Sequence, residues 1–241
     1  MAIITWDEDG KRLYETGVDH GVLYLTPEGA DAQLYSESHA WNGLTNITEA
    51  PSGAEPTPLY ADNIKYLNLI SAEEFGATVE AYTYPDAFAQ CDGSHVLGEG
   101  IAFGQQARKG FGLSYRTRVG NDVKRQDYGY KLHLIYGATA APSEKAYATI
   151  NDSPEAITFS WTLSTTPIAF TSASGLSQLT PTAQVTLDST KLSETFMSSV
   201  ESILYGSSNS EGRLPTPSEL AELYNSQNGD AEEEPEEPEV P

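Results

Sequence analysis

Basic residues are scarce in this chain: 13 Lys and Arg stand against 35 Asp and Glu in 241 residues, a formal charge of -22. Residues 230–241 hold seven of the acids, which leaves about -15 on residues 1–229. A surface this acidic repels phosphate, so broad gripping of a nucleic-acid backbone or of anionic lipid is excluded. Cysteine is nearly absent. The single Cys91 cannot close an intramolecular disulfide, and no disulfide framework supports the fold. No apolar run approaches the ~20 residues of a membrane-spanning helix. The first ten residues lack the basic and apolar stretches of a secretory leader, so the chain is expected to fold where it is made. What is plentiful is core material: 39% hydrophobic residues, and 10% aromatics that include 14 Tyr. That composition belongs to a folded chain with a sizeable core, in one or two domains.

Period-two alternation of apolar and polar residues marks half-buried strands. In 156–164, Ile157, Phe159, Trp161 and Leu163 face one way while Thr158, Ser160 and Thr162 face the other. In 113–119, Leu113, Tyr115, Thr117 and Val119 oppose Ser114, Arg116 and Arg118. In 130–136, Tyr130, Leu132, Leu134 and Tyr136 oppose Lys131, His133 and Ile135. Less regular strands are expected at 21–25, 64–70, 78–84 and 184–187, with turns such as Gly120-Asn121-Asp122 between them. The chain is β-dominated.

Helices come late. In 191–205, Leu192, Phe196, Val200 and Ile203 form one stripe, with Asp188 or Ser189 as caps and Gly206 as the stop. Thr216-Pro217-Ser218-Glu219 announces a second helix, with Thr216 capping and Glu219 reaching back in a capping box. Leu220, Leu223 and Tyr224 would dock it on the body, and a short helical turn is expected around 86–91. Between Ala40 and Tyr60 the chain is rich in Pro, Gly and Thr, which predicts a long loop or arm of the kind kept for function or contacts. The Glu/Pro repeats of 230–241 cannot bury apolar surface and predict a solvated tail.

Chemistry is harder to find. The four histidines are scattered without helical metal spacing. Cys91 and His95 lie four apart, but a buried structural cysteine is the better reading, and His133 reads as an ordinary residue on a polar strand face. There is neither a Gly-x-Ser-x-Gly elbow nor a Walker loop. Residues 98–104 imitate a dinucleotide loop with one residue too many and no helix behind it. Glu73-Glu74 and Asp86/Asp92 are carboxylate pairs that an acidic chain supplies by chance. Arg116, Arg118, Lys124, Arg125 and Lys131, among Tyr115, Tyr128 and Tyr130, form the one basic concentration. Against so negative a chain it reads as an internal or cross-subunit match to acidic neighbours. The acceptor patterns at Asn46 and Asn151 are accidental without a leader.

Taken together, the segments resemble a known family. Trp41-Asn42-Gly43-Leu44-Thr45 and the run from Glu55-Pro56-Thr57-Pro58-Leu59-Tyr60 to Ile64-Lys65-Tyr66 look like the major tail protein of long-tailed bacteriophages. Glu74-Phe75-Gly76-Ala77-Thr78 and Glu80-Ala81-Tyr82-Thr83-Tyr84-Pro85 continue the likeness, as do 128–137, 149–156 and Leu214-Pro215-Thr216-Pro217. The motifs recur in order from about Gly17 to about Leu223, while the two ends match nothing in the family.

The resemblance implies a β-sandwich or barrel-like tail tube fold, one domain over 1–229 with flanking helices at about 191–205 and 217–225. It implies a virion protein made in the bacterial host cytoplasm, of the non-contractile kind, that assembles into hexameric rings stacked as a hollow tube. Its partners would be copies of itself, a tape measure protein in the lumen, and terminator and baseplate proteins at the ends. DNA would pass through without being bound. No membrane, enzyme activity or cofactor is implied. Trp41, Asn42, Pro51, Pro56, Pro58, Tyr60, Arg116, Arg118 and Lys131 are the expected inter-subunit contacts. The competing expectation is a monomeric β-sandwich that stacks sugars on exposed Tyr and Trp.

Overall fold

The computed structural model describes residues 4–26, 35–98, 100–150, 152–153, 155–171, 176 and 178–228. The acidic stretch 230–241 and the acceptor residue Asn151 lie outside them. In chain order the strands are β1 (Leu13–Leu25), β2 (Glu37–Trp41), β3 (Leu44–Glu49), β4 (Ser52–Gly53), β5 (Pro56–Ala61), β6 (Ile64–Ile70), β7 (Glu73–Glu74) and β8 (Gly76–Ala81). Then come β9 (His95–Val96), β10 (Ala102–Phe103), β11 (Phe111–Asn121), β12 (Arg125–Ala140), β13 (Phe159–Thr165) and β14 (Gln184–Asp188), followed by helices α1 (Glu194–Tyr205) and α2 (Pro217–Asn228). A short 3-10 turn spans Asp86–Gln90, where the sequence predicts one.

The architecture is mainly β. One antiparallel sheet runs β2-β1-β11-β12-β13-β8-β3, with β14 branching from β12. β2 and β3 stand at opposite ends of that order, yet only Asn42 and Gly43 separate them in sequence. The sheet therefore curls until its ends meet. Gly43 makes the corner at a φ of +77°, a conformation that costs glycine little, and its carbonyl accepts from the Tyr82 N–H at 2.9 Å.

Curling gives the sheet two faces, and both are covered. Leu23, Leu25, Leu113, Tyr115 and Ile135 turn inward against Trp41, Val79, Phe88, Trp161 and Leu163. Their neighbours Val22, Tyr24, Leu132, Leu134 and Tyr136 turn outward against Phe196, Met197, Val200 and Leu204 of α1 and Leu220 of α2. This double cover explains why 111–115 and 132–136 are buried without a break although their sequence alternates.

Several boundaries differ from expectation. Ile157 precedes β13 and is exposed, because the ladder to β8 begins only at Phe159↔Ala81; Trp161 and Leu163 face the core as expected. The 78–84 strand ends at Ala81, and the turn after β11 falls at 122–124. α1 starts at Glu194 rather than Lys191, because the Ser193 hydroxyl accepts from the Phe196 N–H at 3.2 Å. Gly206 does end it. Thr216 caps α2, accepting from the Glu219 N–H at 3.2 Å, but the Glu219 carboxylate grips the Arg213 guanidinium instead of closing a capping box. A two-pronged charge-assisted bond outcompetes a single backbone N–H.

The region 40–60 is the largest correction. It is not a loop. β3 enters the main sheet beside β8, and the chain then continues outward as a ribbon, β4 against β7 and β5 against β6. Glu49↔Ala77, Ser52↔Glu74, Gly53↔Glu73 and Pro56↔Ile70 advance on one strand as they retreat on the other, without a slip. The three pairs are one long hairpin growing out of the sheet.

Candidate assembly surface

The outer part of that hairpin, residues 51–74, contributes to neither hydrophobic core. Every residue of β5 and β6 is exposed. The exposed side chains are nonetheless large and apolar: Tyr60, Ile64, Tyr66 and Ile70 stand 65–70% free, with Leu59, Leu67 and Leu69 beside them. Covering one such side chain is worth about 1.5–3 kcal/mol, so the arm carries a large unused gain. Its tip is a two-residue turn, Asp62-Asn63, with φ of 50° and 64°. Two left-handed residues in sequence are what a tight hairpin turn of matching twist needs, and Asp and Asn tolerate them best after Gly. Thr57, Leu59, Leu67 and Leu69 share one face; Pro56, Pro58, Asn68 and Ile70 share the other.

The expected contact residues distribute as follows. Pro51, Pro56, Pro58 and Tyr60 lie on the arm, and Asn42 is exposed at the sheet corner. Trp41 is a core residue, packed on Phe88 and Trp161 with its Nε1–H donating to the Thr83 carbonyl at 3.0 Å. Arg116, Arg118 and Lys131 pair within the chain. Asp19 accepts from Arg116 Nε at 2.7 Å and from Arg118 Nη2 at 3.1 Å, and Glu15 accepts from Lys131 Nζ at 2.6 Å. Irregularities in β1 on either side of Asp19 bring its carboxylate to both guanidinium groups. The Arg116 guanidinium foremost holds Asp19 far below the carboxylate range.

One cluster escaped the sequence reading. His133 lies on the predicted strand face, but that face points into the curled sheet, not to water. Its ring stacks on Tyr115 with centroids 4.7 Å apart and planes 2° from parallel. Glu49, the last residue of β3, accepts from the Tyr115 hydroxyl at 2.6 Å and from Gln184 Nε2 at 2.7 Å, and sits 3.3 Å from His133 Nδ1. The His133 ring first, then the Tyr115 and Gln184 donors, lower the Glu49 carboxyl to about 2. Burial first, then the Glu49 carboxylate, pushes the Tyr115 hydroxyl up, so it keeps its proton and donates. The cluster thus ties the root of the arm to β11, β12 and β14. No sequence signal marks it, since its members lie in four separate strands.

Cys91 is buried, and burial pushes its thiol up to about 12, which leaves it inert as a nucleophile. Among the described residues no group of three or more His, Cys, Asp and Glu is placed to hold a metal ion, and no helix is long and apolar enough to cross a membrane.

No family model and no curated protein matches the chain. Among solved structures, a chain from the six-fold symmetrised cryo-EM baseplate of the anti-feeding prophage aligns with 78% of this chain and 100% of its own length, at 10% identity and a TM-score of 0.35. That is a distant likeness.

Proposed function

We propose that the protein is a structural subunit that assembles with copies of itself, and that the product is the tube of a long-tailed phage tail. The arm carries the first half: an extended ribbon, apolar on both faces, that joins neither hydrophobic core among the described residues. A lone two-stranded ribbon is marginal in water, and exposed apolar edges recruit other strands. Its chain spends residues on an element that pays off only when a neighbour covers it. The second half rests on the ordered motifs shared with the major tail proteins.

In this reading hexameric rings stack into a tube in the virion, with the tape measure protein inside and terminator and baseplate proteins at the ends. The role is structural, not catalytic. A net charge of -22 suits a conduit, because DNA phosphates are repelled by the wall and slide instead of sticking.

Negative-stain microscopy tests both halves. Purified full chain is expected to give rings or tubes on the order of 100 Å across. A variant whose residues 55–71 are replaced by a Gly-Gly turn is expected to stay folded and soluble but give single subunits. Discrete small particles from the parent would sink the reading and favour the monomeric sugar-binding module. Normal tubes from the variant would take the arm out of it.

A further inference from the structure

Pro56 and Pro58 belong to the β5–β6 ladder, opposite Ile70 and Asn68, although neither has an N–H to give. The ladder bonds must therefore run through the residues between them, Thr57 with Leu69 and Leu59 with Leu67. The backbone groups of Pro56, Pro58, Asn68 and Ile70 then face away from the ribbon, which is where sheets accept proline. This makes the two outer edges unequal. Along β5 the outward positions Pro56 and Pro58 offer carbonyls and no donor, leaving only Tyr60 beside the tip with an N–H. Along β6, Asn68 and Ile70 offer both N–H and C=O, and no proline occurs from Ile64 through Tyr84.

We infer that the β6 edge of the arm takes up a strand from a second copy of this chain, and that Pro56 and Pro58 close the β5 edge to it. The inference rests on the self-assembly reading above and adds the mode of contact and its side. The strand supplied is the segment after Lys145. Lys145 is fixed on its own subunit, 2.6 Å from Asp92 and over the Tyr84 ring. Beyond it, residues 146–150 read Ala-Tyr-Ala-Thr-Ile, a proline-free run with Tyr147 75% and Ile150 85% exposed. Among the described residues no backbone hydrogen bond ties 146–150 to the rest of the chain. Other open edges are less free: β2 is flanked by the Tyr35↔Leu214 bridge, and Leu44 of β3 sits against Gly21 of β1. Paired on β6, the alternate side chains of 146–150 would cover Leu67 and Leu69 on one face and Ile70 on the other.

The test uses the full chain. Asn68→Pro removes an outward N–H and leaves the ladder bonds of Thr57 and Leu59 in place. It is expected to keep the parent's circular dichroism and to lose about tenfold or more in assembled fraction, as for one or two missing backbone bonds at each contact. Pro58→Ala, which restores a donor on β5, is expected to assemble like the parent. Because Cys91 is buried, introduced thiols report the contact cleanly. Copies carrying Asn68→Cys, mixed with copies carrying Thr149→Cys or a cysteine elsewhere in 146–150, are expected to form a disulfide-linked pair only under assembling conditions. Normal assembly by Asn68→Pro, or no linked pair at any position of 146–150, overturns the inference. The self-assembly reading fails separately, when the parent chain gives only single subunits; the inference alone fails when the parent assembles but the β6 edge of the arm is not needed.

Discussion

Trp161 makes three kinds of contact at once. Its indole is fully buried, it meets Trp41 and Phe88 edge-on at 5.6 and 5.1 Å, and its Nε1–H donates to Asp92 at 3.2 Å. Asp92 is itself buried and balanced by Lys145, so the indole also helps to satisfy a buried charge. Trp161→Ala is expected to cost roughly 3–5 kcal/mol through lost transfer and the cavity left behind, enough to unfold a marginal domain. Urea unfolding checks it, and a midpoint equal to the parent's would place Trp161 outside the core. Alternation alone exposes Trp161 and Leu163 as core residues. It cannot place Ile157, which has the right parity but no partner strand, nor His133, whose polar face is buried by the curl of the sheet.

At the scale of elements, Glu49 closes β3 where the arm begins. Its carboxyl is lowered from 4.5 to about 2, so the stability it contributes is fully present above about pH 4.5 and is lost as pH falls through about 2. Acid titration of unfolding is expected to show a loss across that window that Glu49→Gln flattens; parallel loss in parent and variant would show that the cluster does not anchor the arm. α1 was legible from its stripe and α2 from its capping residues, but the expected α1 caps, Asp188 or Ser189, give way to Ser193. The arm was expected as a loop and is found as a ribbon. Pro56, Pro58 and Gly53 are loop signals, and they are compatible with strands only at an outer edge, which a single sequence does not reveal. The expected strand at Ile64–Ile70 was the available clue.

For the whole molecule the governing quantity is charge. The three cations that could have met acids on a neighbour, Arg116, Arg118 and Lys131, already face Asp19 and Glu15 of their own chain. Bringing subunits together therefore concentrates acid with little compensation at these positions. Salt screens such repulsion beyond ~8–10 Å at physiological strength. Light scattering from purified subunits is expected to rise faster in moderate salt, and a chain ending at Gly229, lacking seven acids, is expected to need less of it. Scattering that falls steadily with salt in both chains would mean that attractive ion pairs drive assembly. Net charge and β content were readable at once. The closure of the sheet was not, because β1 pairs with a strand about a hundred residues away.

The same distance separates events in time. The hairpin from β3 to β8 is built of neighbours and turns on two residues, so it can form within ~1–10 μs. The body waits for pairings such as Leu13 with Asn121, and folds dominated by distant strands take milliseconds to seconds. Through that interval the arm forms and reforms many times before the rest of the chain is in place. Each nascent chain thus displays an apolar ribbon while β1 and β11 are still looking for each other, and an arm open on both edges would capture them. Pro56 and Pro58 withhold two backbone donors from such capture before the body has folded.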